Sequence, residues 1–472
     1  MIFKNSLNYL TQFFFFFTNK TRSLYLNSNI YNKKISKIRN KNLEYKPSPS
    51  LLDCLIKYKK KKISIEDFSL NSIWEENNFK EKDYKKLHSF FWLFSLDLKS
   101  SKENTRSVIS NWIKENQNYN KKNWRADILS KRIIAWISNS KLTYENSEES
   151  YKYKFNLIIQ KQINHLINEI EKSKLVDVKM VSCAAIILTG LSLNEKEKYL
   201  NFGFLFLKKI INTSFDNENF PKTRNIQQLI FFLKYFILIR EWLKESQTEI
   251  PEYLDEIIFY LGRSYSILCQ GNEKNFLFNG NHDFSSKDFD QYLVEHGYKF
   301  KNDLHETGGY IVFKNKKINL IMDVGSSPEK KFSKDYQSGA LSFEIISNKK
   351  KLICNSGYFR KNKHKLNEIS KTTANHSTLI IDNSSSCKLQ KIGSKSSVIE
   401  QSLKILDKSS VFKKDYWNII ASHNGYLKKY GIIHERKIEF YPEQSKFVGT
   451  DSIIQKKNIK KLILKYVFIY YR

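Results

Sequence analysis

Cysteine, acidic side chains and long apolar runs are scarce in this chain of 472 residues. The five cysteines, Cys54, Cys183, Cys269, Cys354 and Cys387, are scattered, odd in number and never spaced as C-x-x-C. That pattern indicates neither a disulfide framework nor a thiolate zinc site. Cys183 and Cys354 stand in apolar runs and read as small core residues. No run of about 18 uninterrupted apolar residues occurs, so no membrane span is expected. Asp and Glu number 48 against 80 Lys and Arg, a formal net charge of +32. Such a surplus raises the question of a nucleic-acid partner. The lysines, however, are spread through the chain among many Asn and Ile residues. Only Lys57 and Lys59–Lys62 form a dense basic run, and no zinc-knuckle or aromatic-glycine motif accompanies it. Nucleic acid is therefore not the expected partner, and a polyanionic sugar is a more economical use of the same charge.

Three regions follow from composition and periodicity. Residues 1–48 are rich in Asn, Lys and Ser and close on Pro47-Ser48-Pro49, which predicts a poorly ordered lead-in. Within it Met1–Thr18 holds the run Phe13–Phe17 but lacks a clean apolar core and a small-x-small cleavage site, so a short amphipathic segment is favoured over a secretory signal. Residues 49–285 carry apolar positions at helical spacing, as in Leu157, Ile158, Ile163, Leu166, Ile167 and Ile170. Segment 226–243 is apolar almost all round and must lie inside a helical assembly. Pro251 suits the first turn of the helix that follows. From 290 to 472 the period shortens. Tyr310–Phe313 and Ile318–Met322 flank the polar turn Lys314–Lys317, and Leu341–Ile346 and Lys351–Cys354 flank Ser347–Lys350. Antiparallel hairpins in a sandwich are expected there, and the chain as a whole reads as α+β.

Three ordered segments carry a more specific signal: Asp335-Tyr336-Gln337-Ser338-Gly339-Ala340-Leu341-Ser342-Phe343-Glu344, Ile353-Cys354-Asn355-Ser356-Gly357-Tyr358, and Thr373-Ala374-Asn375-His376-Ser377-Thr378-Leu379. In order and spacing they resemble the C-terminal sheet domain of the heparinase II/III family of polysaccharide lyases. Arg132-Ile133-Ile134-Ala135-Trp136 and Thr223-Arg224-Asn225 are looser matches in the helical half. The resemblance spans roughly residues 70–470. It implies an incomplete α/α toroid of helix pairs followed by an antiparallel β-sandwich, with the substrate cleft between them and a cell-envelope or periplasmic setting; a cytoplasmic one stays open because no clean secretory signal is read. Relatives continue with further strands after the segment like Val448–Asp451, so a sandwich shortened at its C-terminal end is expected.

The reaction implied is β-elimination at a uronic acid. It needs a group to neutralise the carboxylate, a base for the C5 proton and an acid for the leaving oxygen, and no cofactor. The resemblance nominates His376, His423, Tyr426 and Tyr336 as catalytic residues. Arg224 and Asn225, at the start of an inner helix, and Asn281 and His282, in the connection between the halves beside Asn279 and Asp283, are the substrate-binding candidates. His376 and Arg224 or Asn225 are expected to line one groove. Family members that bind a metal carry a His-x-His and an Asp where this chain has Asp335, Gln337 and Asn355. Neutral amide oxygens are poor zinc partners, so no metal is expected. The same three replacements also suit an acidic-glycan binding protein without catalysis.

Overall fold

Short antiparallel strands build the sheet half. The computed structural model describes residues 17–37, 42–55, 80–96, 101–282, 285–301, 303–359, 364–392, 396–456, 463–466 and 469–470. The phenylalanine run up to Phe16, the basic run at 57–62 and Asp283 lie outside them. The chain divides into two compact units, Met1–Ile210 with Tyr235–Pro251, and Ile211–Lys234 with Glu252–Arg472.

The first unit is helical, with long helices at Lys102–Asn116, Ala126–Ser138, Glu149–Glu169 and Val176–Ser192. Their buried stripes recur at three and four residues. In Lys102–Asn116 they are Thr105, Val108, Ile109, Trp112 and Ile113, and Ser101 caps the first turn by accepting from the Asn104 amide. Arg132 is wholly buried here. It donates to the carbonyls of His88 (2.9 Å) and Asn123 (3.0 Å) and to Gln162 (3.3 Å), and stacks on Trp112. Burial pulls its guanidinium down to about 9. The Arg-x-x-x-Trp motif is therefore scaffold. Residues expected to be a loose lead-in are ordered where they are described. Ser28 caps a helix at Asn29–Ile35, the Tyr31 hydroxyl lies 2.7 Å from His165 Nδ1, and the Glu44 amide donates to the Ser192 carbonyl at 2.7 Å. Tyr31 and Ile35 are as buried as any core residue. Polar composition hid this because only every third or fourth residue of the segment points inward.

The second unit begins with residues 211–234, continues through helices Glu252–Leu268 and Lys287–Glu295, and then turns to strands. Strands β1 (Glu306–Thr307), β2 (Tyr310–Lys314), β3 (Ile318–Asp323), β4 (Phe343–Ser347), β5 (Lys350–Cys354) and β14 (Ile469–Tyr470) form one antiparallel sheet in the order β1-β2-β3-β4-β5-β14. A second sheet runs β12-β11-β10-β9, from Lys446–Gln455, Ile432–Tyr441, Trp417–His423 and Ile405–Phe412. Two further pairs join β13 (Leu464–Tyr466) to β6 (Leu379–Ile381), and β7 (Lys388–Ile392) to β8 (Ser396–Gln401). Both predicted hairpins are present. The β4–β5 turn is two residues long, with Asn348 and Lys349 both at positive φ (46° and 66°), the twist that adjacent strands require. Ile311, Phe313, Leu320, Met322, Phe343 and Ile345 of the first sheet pack on Trp417, Ile419, Ala421, Ile438 and Phe440 of the second. That shared apolar layer makes the pair a sandwich. The last described residues, in β13 and β14, pair with β6 and β5.

Candidate functional site

The three motif segments are bound to one another by groups the motif itself supplies. Glu344, at the end of the Gly-x-Leu-Ser-Phe-Glu run, is fully buried and accepts the amides of Leu277 (3.0 Å) and Asn355 (2.9 Å) through one oxygen. It thereby fixes the start of the 277–282 loop to the end of β5. Asn355 passes the connection on, since its Oδ1 accepts the Ser377 amide at 3.0 Å. Gln337 accepts the Gly280 amide (3.1 Å) and donates to the carbonyls of Gly357 (3.2 Å) and Ser370 (2.6 Å). Gly280 has φ +82°, and a side chain there would meet Asn225 Nδ2 at 2.6 Å and Asp335 Cβ at 2.9 Å. Only glycine lets the loop pass between those two residues.

Arg224, nominated for substrate binding, spends its guanidinium on partners within the protein. It is 7% exposed, and all three of its nitrogens are engaged: Nε with the Gly308 carbonyl (3.1 Å), Nη1 with those of Gly325 and Ser326, and Nη2 with Gly309 and with Asp323 Oδ1 (2.7 Å). Burial alone would lower its pKa, but the Asp323 carboxylate outweighs that and raises it. Asp323 also faces Asn279, whose Nδ2 donates to Tyr310 Oη at 2.6 Å, and Tyr310 donates to the Arg224 carbonyl at 2.8 Å. Asp323 was not foreseen; a carboxylate closing an otherwise apolar strand was the available signal.

Asn225 caps helix Ile226–Glu245, its Oδ1 accepting the Gln227 amide at 2.9 Å. Its Nδ2 makes no hydrogen bond and lies against Gly280. His282 is exposed and its ring meets the Gln227 side chain, with Nε2 at 3.2 Å. Gln227 is another residue sequence reasoning passed over, because one turn of helix alone aligns it with the cap. Asn281 is buried, donates to the Phe276 carbonyl at 2.5 Å, and its own carbonyl accepts the Tyr358 amide. Asn281 Oδ1, Asn355 Nδ2, the Tyr336 hydroxyl and both ring nitrogens of His376 are buried with no hydrogen-bond partner.

His376 does not line an open groove. It is 1% exposed and its ring lies on Gly339, where any Cβ would sit 2.9 Å from Cγ. Burial lowers its pKa to about 4, with the Ser370 backbone opposing. His423 and Tyr426 are likewise buried and engaged within the sheet domain. Tyr426 is buried and donates to the Leu379 carbonyl at 3.0 Å. His423 Nδ1 accepts the Gly425 amide (3.0 Å), so Nε2 carries the proton and points at His434 Nδ1 (3.2 Å). His434 Nε2 then donates to Asp451 (2.5 Å), which Arg436 holds with two bonds of 2.8 Å. Burial and the Arg436 charge keep both imidazoles neutral. Burial would raise Asp451, but His434 and Arg436 hold it at about 2. Arg436 also donates to the carbonyls of Leu341 (2.9 Å) and Ser377 (2.6 Å), fastening the second sheet to two of the motif segments.

The donor set at the family's metal positions does not suit a metal. The Gln337 and Asn355 oxygens already accept backbone amides, which leaves His376 without partner ligands of the kinds zinc favours.

Residues 302–469 match the family described as Heparinase II/III-like, C-terminal. No match is found among curated proteins. Among solved structures the chain is similar to a heparinase III at 15% identity and a TM-score of 0.61, covering 89% of this chain and 74% of that one. A second heparinase III gives 15%, 0.64, 89% and 74% in the same terms. Heparan sulfate lyase HepC from Pedobacter heparinus gives 13%, 0.57, 90% and 73%. The likeness shows the fold, a helical toroid of helix pairs followed by a sandwich of antiparallel sheets. Residues 302–469 are thus similar to the heparinase II/III family's C-terminal domain, and 89% of the chain shares the fold of a heparinase III.

Proposed function

We propose that the protein cleaves an acidic, uronic-acid-containing polysaccharide by β-elimination at the constellation around Gly280. One observation carries this reading. The 277–282 loop, Gln337 and the end of β5, all far apart in sequence, are joined by hydrogen bonds, and Asn225 and Asp335 lie against Gly280 of that loop. Asn225 Nδ2, an unspent donor beside the amino terminus of a 20-residue helix, suits the substrate carboxylate. Withdrawing charge from that carboxylate is what makes the C5 proton removable. His282, accessible and held by Gln227, is the acid–base group. The unpartnered polar atoms of Asn281, Tyr336, Asn355 and His376 support the same reading. Each costs about 1–3 kcal/mol while it stays unpaired.

The test is to mix purified protein with heparan sulfate, hyaluronan and alginate and follow the ultraviolet absorbance of the unsaturated uronate product. His282→Ala and Asn225→Ala should each lower the rate by about 10²–10⁴-fold, the range of an acid–base group or a preorganised donor. Glycan retention with no unsaturated product would instead leave a binding protein.

A further inference from the structure

The helical unit contains a cationic recess that the reaction does not use. Helices Lys102–Asn116 and Glu149–Glu169 pack together and leave a cavity of about 350 Å³. Its lining comes from one stripe of each helix. Lys154, Leu157, Ile158 and Lys161 stand at i, i+3, i+4 and i+7 and therefore share a face. Ile113, Lys114 and Gln117 line it from the other helix and its C-terminal end.

Three features of this recess point to a ligand. Among the described residues no carboxylate lines it. Lys114 and Lys154 are exposed and form no ion pair or hydrogen bond. Lys161 is only 6% exposed, and its ammonium donates to the Gln117 carbonyl at 2.7 Å with no carboxylate beside it. Burying an ammonium without a counter-ion is costly, and burial alone accounts for the lowering of its pKa. The floor is apolar, made by Ile113, Leu157 and Ile158. An apolar floor under a cationic rim matches a sugar ring, which offers a C–H face and carries its charge at the edge. The volume lies at the small end of ligand sites, enough for about one or two rings.

We propose that this recess is a binding site for an anionic substituent, sulfate or carboxylate, of an acidic oligosaccharide. It shares only the acidic glycan with the function proposed above and does not depend on elimination.

The experiment is calorimetry on the full chain with three probes: a sulfated heparin hexasaccharide, a desulfated uronate hexasaccharide and neutral maltohexaose. The double variant Lys114→Gln/Lys154→Gln is compared with Lys82→Gln/Lys174→Gln, which removes the same charge from exposed positions elsewhere. The recess pair should weaken binding of one or both acidic probes by at least about tenfold, the worth of one charge-assisted contact. The control pair should change it less than about twofold, since a lone surface charge contributes little. Loss for the sulfated probe alone assigns the site to sulfate, and loss for both assigns it to carboxylate as well. Equal loss from the two pairs, or none from the recess pair, overturns the proposal. Both pairs are exposed, so folding is not at stake. Because binding is read directly, the result stands whether or not the unsaturated product forms.

Discussion

The sandwich buries histidines in two opposite ways. His423 and His434 form a closed chain in which every nitrogen is spoken for, ending on Asp451 and Arg436. His376, equally buried, has neither ring nitrogen engaged. The first arrangement is what a fold does with polar groups it must bury; the second is what it tolerates where some other requirement is met. Burial alone therefore says nothing about role, whereas the fate of each nitrogen does.

The largest effect should come from breaking the closed chain. Asp451→Ala strands the Arg436 guanidinium and removes the His434 acceptor, and should cost about 3–5 kcal/mol in urea unfolding, as for other broken buried ion pairs. A loss below about 1 kcal/mol would mean that Arg436 is held by its backbone carbonyls alone. Acid should act next. His376 titrates at about 4 in the fold and near 6.5 when unfolded, so the unfolded chain binds more protons between those values. Its contribution is fully present above about pH 6.5 and declines as pH falls toward 4, reaching a loss of about 2 kcal/mol at pH 5. His423 and His434 act in the same direction, while Asp451 contributes its own loss only as pH falls below the ordinary carboxylate range toward 2. Unfolding midpoints between pH 7 and 5 measure this, and His376→Leu should flatten the slope.

A direct contrast of the two kinds of histidine is smaller. His423→Phe leaves His434 Nδ1 unpaired and should cost about 1–3 kcal/mol, whereas His376→Leu should be neutral or stabilising by up to about 3 kcal/mol, since no hydrogen bond is lost. Comparable losses from both would show that His376 has a partner in solution. The smallest expected effect concerns zinc: elemental analysis should find none in stoichiometric amount, and adding it should leave the unfolding midpoint unchanged. About one zinc per chain, lost in His376→Ala, would reverse the reading of the unpartnered ring.

Much of this architecture was legible in the residues. Short β-rich runs flanking Asn/Lys turns placed the β2–β3 and β4–β5 hairpins where they are, and the motif segments named the sheet domain. Alternation could have placed the histidines. Trp417, Ile419, Ala421 and His423 occupy one face of β10, and His434, Arg436, Ile438 and Phe440 one face of β11, so both histidines had to point inward. What was not legible was partnership. Arg224 beside a helix start looks like an anion binder until Asp323, 99 positions later, is seen to hold it. Residue type shows what a side chain can do; tertiary structure decides whether that capacity is already used.

The one-way order of the His423–His434–Asp451 chain makes it a built-in spectroscopic clock. Each imidazole carries a single proton, on Nε2, aimed at an acceptor inside the sheet and away from solvent. Such protons give resolved downfield resonances and are replaced by deuterium only when β10, β11 and β12 separate. Their exchange rate would time the opening of this sheet alone.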